Sequence, residues 1–150
     1  MFIEINANSI SKSLLVIAYR HPTVEYFQDF IDKLESCIHQ YSFTFILGDL
    51  NCDLLKANYQ SNQLHTFIND YSLYLVPTGP SFHLIGYESW LDVAIVSDQS
   101  KITSYSRTVN FSSNHDLLTI ELPFSVPKEI HTTNQCRDWR NCDYGSLTHT

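Results

Sequence analysis

The stretch Phe43-Thr44-Phe45-Ile46-Leu47-Gly48-Asp49-Leu50-Asn51 decides how the rest of the chain is read. Five residues of strand-forming, mostly apolar character run into a glycine, which permits a sharp exit from a sheet, and then into a carboxylate and an amide two positions apart. On extended backbone such a pair projects to the same side. A buried strand that feeds a polar loop is where mixed α/β proteins place chemistry. Taken alone, Asp-Leu-Asn at a strand end is also a common Asx-turn that satisfies loop backbone groups, so the motif needs company before it means more.

Upstream of it, Phe2-Ile3-Glu4-Ile5-Asn6 alternates apolar and polar residues and Leu14 to Tyr19 is a continuous apolar run. Turn residues Asn8-Ser9 and Ser11-Lys12-Ser13 lie between them, which predicts a hairpin. After Pro22, with Thr23 as N-cap, Phe27, Phe30, Ile31, Leu34 and Ile38 recur at helical spacing and predict an amphipathic helix over roughly 24–40. Downstream, Leu64, Phe67 and Ile68 predict a second helix over roughly 61–71. Leu73 to Val76 reads as a strand leading into the loop Pro77-Thr78-Gly79-Pro80. Trp90 to Val96 is a further strand with Asp92 among apolar neighbours. Thr103 to Val109 and Leu117 to Leu122 complete the strands, separated by the polar loop 112–116. Strands outnumber helices and their connections vary, so the class is α/β or α+β with a mixed sheet.

Composition agrees with one packed domain. Of the 150 residues 43% are hydrophobic and 17% charged, with nine Phe and nine Tyr, which excludes a disordered chain. Apolar runs are strand-sized, so no membrane span is predicted. The first residues lack the pattern of a secretory signal, which makes an intracellular setting, cytoplasm or nucleus, the default. The formal charge of −7 is the wrong sign for broad phosphate neutralisation, so any nucleic-acid chemistry must rest on a local site and on metal ions. Cys37, Cys52, Cys136 and Cys142 are read as free thiols, because no CxxC occurs and Cys136, Cys142 and His149 fit no tetrahedral zinc spacing. Nucleotide-binding glycine loops and internal repeats are absent. The pattern stops after Pro127, so residues 1–126 are expected to form the domain and 127–150 a C-terminal linker.

Three polar clusters therefore stand at strand ends: Asp49 with Asn51, Asp92, and Asn114 with His115. Phosphoester hydrolysis needs charge neutralisation at the phosphate, an aligned water and help for the leaving group, and these residue types can supply all three. An Asp inside a strand is costly to bury without a partner, which favours a paired role for Asp92. A loop histidine such as His115 is more commonly just solvated. His21, His39, His65, His83, His131 and His149 fall in no metal-ligand spacing and are read as surface or local contacts.

From Phe2 to about Phe124 the chain resembles the endonuclease/exonuclease/phosphatase domains of non-LTR retrotransposon polyproteins of the insect type. These are relatives of apurinic endonucleases, pancreatic-type deoxyribonucleases and inositol polyphosphate phosphatases. The resemblance rests on Ala18-Tyr19-Arg20-His21-Pro22, on Gly48-Asp49-Leu50-Asn51 (the family's GDxN block), on Ser89-Trp90-Leu91-Asp92-Val93 (SxxD) and on Ser113-Asn114-His115-Asp116 (SDH). It implies a two-sheet α/β sandwich, incomplete at the N-terminus, and a metal-dependent phosphodiesterase acting as a DNA endonuclease. Carried over by position, it implies that Asp49 orients the attacking water, Asn51 contacts the phosphate, and Asp92 pairs with His115, which stabilises or protonates the phosphoryl group. Tyr19 would lie near the phosphate and Thr78 on a loop lining the cleft. Magnesium or manganese is the implied cofactor, DNA the substrate, and a reverse transcriptase domain the neighbour in the parent polyprotein. The segment Arg137-Asp138-Trp139-Arg140-Asn141 resembles the joint to that domain.

Two departures bear on activity. The family's N-terminal Asn and metal-binding Glu block would precede Phe2, and Asn114 stands where the family has the Asp of its SDH block. Together they imply a truncated fragment with weak or absent catalysis and doubtful metal binding. A non-catalytic remnant of the fold and a related inositol or lipid phosphatase are the alternative readings.

Overall fold

The computed structural model describes residues 1–7, 10–23 and 27–123, with backbone alone at 6, 7, 10 and 11. The predicted linker 127–150 and the turn Asn8-Ser9 lie outside the described residues.

The central element is a five-stranded mixed sheet in the order β1-β2-β3-β7-β4. β1 (Phe2–Ala7) and β2 (Ile10–Tyr19) form the predicted antiparallel hairpin, with a register irregularity between Ile5 and Ala7. β2 runs parallel to β3 (Phe43–Asp49), and the crossover that parallel pairing demands is supplied by α1 (Phe27–Ile38). β3 pairs antiparallel with β7 (Asp92–Val96), whose far edge carries the two-residue β4 (Tyr74–Leu75).

Both helices cover one face of this sheet. Phe27, Ile31, Leu34 and Ile38 are the buried stripe of α1. α2 (Tyr59–Asp70) contributes Leu64, Phe67 and Ile68, and these meet Leu14, Val16, Ile46, Val93 and Ile95 from the strands. The second helix begins two residues earlier than its apolar pattern indicates. Asn58 caps it, accepting from the Ser61 backbone N–H at 3.0 Å while the Ser61 hydroxyl accepts from the Asn58 N–H at 3.0 Å.

On the other face a smaller core of Phe43, Phe45, Val76, Ala94 and Val96 is covered by Ile102, Ile120 and Leu122. The last two come from and follow a separate two-stranded sheet, β8 (Ser104–Thr108) with β9 (Leu117–Glu121). A second two-stranded sheet, β5 (Phe82–Leu84) with β6 (Tyr87–Ser89), turns at Gly86 and was not anticipated from sequence. Its strands are three residues each, too short for alternation to register. Among the described residues no helix is long and apolar enough to cross a membrane. The expected class, α/β or α+β with a mixed sheet, is the observed one.

Candidate active site

Register sets the site. Tyr19 is the partner of Asp49 across β2 and β3, and Asp49 is the partner of Asp92 across β3 and β7. Three side chains that are far apart in sequence thus stand in one row at the end of three adjacent strands. Directly opposed like charges destabilise a sheet, so this pairing of aspartates costs the fold stability.

His115 joins the row from the loop before β9. Its Nδ1 lies 2.9 Å from Asp92 Oδ2. The same oxygen accepts from the Ser81 hydroxyl at 2.6 Å, and Ser81 in turn accepts from the Asp92 backbone N–H at 3.1 Å. A carboxylate beside Nδ1 favours the tautomer in which that nitrogen donates, which leaves Nε2 for other work. The Phe82 ring packs against the imidazole in an edge contact at 4.9 Å between centroids. Ligand-type atoms of Asp49, Asp92 and His115 all lie within 4.8 Å of one another.

Asp49 and Asn51 do form the Asx-turn that their spacing allows: Asp49 Oδ1 accepts from the Asn51 N–H at 2.8 Å, and Asn51 adopts a left-handed φ of 46°. The turn and the site coexist, because Asp49 uses one oxygen locally and faces Asp92 as well. Burial pushes the Asp49 carboxyl above its ordinary value; the Asn51 N–H opposes this, Asp92 adds to it, and His115 and Arg20 oppose it. Asn51 spends one amide hydrogen on the Arg20 carbonyl at 2.7 Å.

Gly48 makes this loop possible. Its φ is +148°, and a Cβ there would lie 1.8 Å from the Ala18 carbonyl oxygen. Arg20, read from sequence only as part of a block, proves to be the residue that ties the loop down. It is buried, and it donates from Nε to the Leu50 carbonyl at 2.6 Å and from Nη2 to the Asn51 carbonyl at 2.6 Å and to Gln60 Oε1 at 2.9 Å. Asp53 holds the other side of the loop, accepting from the backbone N–H groups of Leu55 and Trp90 at 3.1 Å each. Burial raises the Asp53 carboxyl, but those two N–H groups and Lys56 outweigh it and hold it below its ordinary value.

The predicted residues are distributed as follows. Asp49, Asp92 and His115 converge, with Tyr19, 70% exposed, beside Asp49. Asn51 sits at the turn next to them. Asn114 is exposed, and its backbone carbonyl accepts from the His83 N–H at 2.9 Å. Thr78 is only 8% exposed, and its hydroxyl has no hydrogen-bond partner among the described residues. Sequence reasoning missed Ser81, because nothing in a pattern distinguishes a buried serine that serves a carboxylate from a loop serine. It missed Arg20 in this role although a cation directly after an apolar strand was a usable signal.

The donor set fits a hard divalent cation better than a soft one. Two carboxylates face each other with oxygens beyond those engaged in the turn and in the Asp92–His115 contact, whereas the imidazole Nδ1 is already committed. A cavity of about 690 Å³ lined by Glu35, His39, Thr44, Asp70, Tyr71 and Ser97 lies at the opposite ends of β3 and β7 and has no part in this arrangement.

Comparison with known proteins gives the same frame. The model of the family described as endonuclease-reverse transcriptase matches residues 13–119. The chain is similar in structure to the endonuclease domain of TRAS1, a telomere-specific non-LTR retrotransposon, with a TM-score of 0.68 and 16% identity over 81% of this chain and 60% of that one. It is also similar to an endonuclease/exonuclease/phosphatase family protein from Leptotrichia buccalis, with a TM-score of 0.57 and 14% identity over 82% of this chain and 53% of that one. This chain thus spans about 60% and 53% of the lengths of those two. No curated protein matches it. The structural likenesses carry the fold, the family match covers more than half of the sequence, and the chain belongs to the endonuclease-reverse transcriptase family.

Proposed function

We propose that this chain is the endonuclease domain of a retrotransposon polyprotein, a hydrolase that cuts one strand of DNA through Asp49, Asp92 and His115. The observation that carries this reading is the directly opposed aspartate pair with a histidine hydrogen-bonded to one of its members.

Each residue has a chemical task in this reading. A carboxyl group whose proton affinity burial has raised is a better base than an ordinary one, which suits Asp49 to take a proton from the attacking water. Asp92 holds the His115 ring in one tautomer, so that Nε2 faces the scissile phosphate and hydrogen-bonds or protonates it as charge accumulates. Asn51 has a second amide hydrogen for a phosphoryl oxygen, and Tyr19 lies along the same strand row. The buried Thr78 hydroxyl, three residues before Ser81, takes a polar partner when substrate or water is bound. A divalent cation, magnesium or manganese, held by Asp49, Asp92 and the Asn114 amide would supply charge neutralisation at the phosphate. Asn114 brings no charge of its own, so cation binding is weaker than with a third carboxylate and turnover is slow. The domain reading extends to residues 1–126, with 127–150 as the link to a reverse transcriptase domain.

Conversion of supercoiled plasmid to the nicked form tests the assignment. Nicking that requires magnesium or manganese and stops on chelation supports it. Release of phosphate from inositol phosphates without plasmid nicking would move the chain to the phosphatase branch of the fold.

A further inference from the structure

The small sheet β5-β6 does more than fill a loop. Residues 81–83 pair with residues 114–116: the His83 N–H donates to the Asn114 carbonyl at 2.9 Å, the Asp116 N–H donates to the Ser81 carbonyl at 2.8 Å, and Phe82 and His115 are bridge partners. The segment that carries His115 is therefore added as a third edge to β5. Ser81, whose hydroxyl bonds Asp92, stands at one end of this zipper.

Asp116 locks it. Its carboxylate is 3% exposed, and Oδ2 lies 2.9 Å from His83 Nε2 and 3.6 Å from Arg107 Nε. His83 belongs to β5 and Arg107 to β8, so one buried carboxylate binds a side chain from each of the two small sheets. On the outer side Glu88 Oε1 lies 3.5 Å from His83 Nδ1. Two-stranded hairpins are marginal by themselves, and a buried carboxylate without cationic or hydrogen-bonding partners is costly. The three side chains thus have their strongest effect as a joint.

We propose that Asp116, with His83 and Arg107, is a positioning device that holds His115 against Asp92. His83 and Arg107 touch neither the strand row nor Asp92 in any described contact. They act through the backbone of 114–116, and a displacement of His115 by about 1 Å is enough to cost on the order of 10²-fold in rate. This inference rests on the reading of His115 as a reacting group, and its primary readout does not depend on activity.

The experiment is NMR of the imidazole N–H of His115 in the full chain, with the amide spectrum of β3 and β7 as the control for folding. In the parent protein the Nδ1–H bound to Asp92 is slow to exchange and observable. In Asp116→Asn and His83→Ala it is lost to exchange while the amides of β3 and β7 stay in place. In His83→Gln, whose amide still reaches Asp116, it is retained. Arg107→Gln, with one of the two ties cut, serves as a second variant should Asp116→Asn fold poorly, and it shows faster exchange. Plasmid nicking by Asp116→Asn falls about 10²-fold in kcat with KM nearly unchanged. Persistence of the His115 signal with unaltered exchange in Asp116→Asn and His83→Ala overturns the positioning role. Failure of the parent protein to nick DNA, with the NMR differences intact, overturns the nuclease reading and leaves the positioning role supported.

Discussion

His115 and Asp92 are 23 residues apart in the chain and 2.9 Å apart in space, and a second proton on the same carboxylate oxygen comes from Ser81 at 2.6 Å. Asp92 is thus an acceptor held by two donors, and its charge decides which histidine nitrogen carries the proton. Asp92→Asn keeps the shape and removes that instruction. The expected outcome is a fall of roughly 10²–10⁴-fold in the rate of plasmid nicking with little change in DNA affinity, read from kcat and KM separately.

Asp49 pays for its position in stability. Its carboxyl is raised above the ordinary value of 3.8, chiefly by burial, so its contribution to stability is fully present below that value and is lost as pH rises through the folded-state value. At neutral pH the ionised form works against folding. Asp49→Asn, which preserves an oxygen for the Asn51 N–H, is therefore expected to unfold at a higher temperature near neutrality. The gain is at most about 1 kcal/mol, because the group is partly open to solvent. The two proteins converge in melting experiments taken into the acid range. The same substitution removes nicking, a trade of activity against stability at one residue.

Gly48 allows no replacement. Alanine would need a φ of +148° and would bring its Cβ to 1.8 Å from the Ala18 carbonyl oxygen, which is backbone of the adjacent strand. Strain and overpacking together are expected to cost roughly 3 kcal/mol or more, measured by denaturant unfolding of Gly48→Ala.

The apolar strands and both helices were legible because their periodicities are carried by many residues. The stripe Phe27, Ile31, Leu34, Ile38 admits one reading, and Phe43 to Leu47 followed by Gly48-Asp49 announces a strand with a polar exit. Asp49, Asp92 and His115 were legible as chemistry only in conjunction, since each alone has an ordinary structural role. What stayed hidden depends on pairing rather than pattern. β5 and β6 are three residues long, and Ile85 at their turn is fully exposed, so no apolar alternation marks them. Nor does β8 or β9 signal that it leaves the main sheet, because a strand looks the same whichever neighbour it has. Register, which sets Asp49 against Asp92, follows from the fold of the whole sheet. His83 was read as a local contact, and its tie to Asp116 became visible only once residues 81–83 were paired with 114–116.

Asn114 offers a gain of function. Asn114 precedes His115 in the chain, is exposed, and is anchored through its backbone carbonyl to the His83 N–H, so a carboxylate can be accommodated there. Asn114→Asp adds a negative charge where the cation is proposed to bind. The expected result is tighter magnesium or manganese binding, about tenfold or more by calorimetric titration, and faster nicking at limiting metal.

In the proposed reaction His115 acts together with the aspartate pair on a phosphodiester. The most direct measurement is magnesium-dependent nicking of supercoiled plasmid by the parent chain and by His115→Ala, purified side by side and shown to melt alike. A drop of roughly 10²-fold or more in the variant is the predicted result. Equal rates in the two proteins would contradict it.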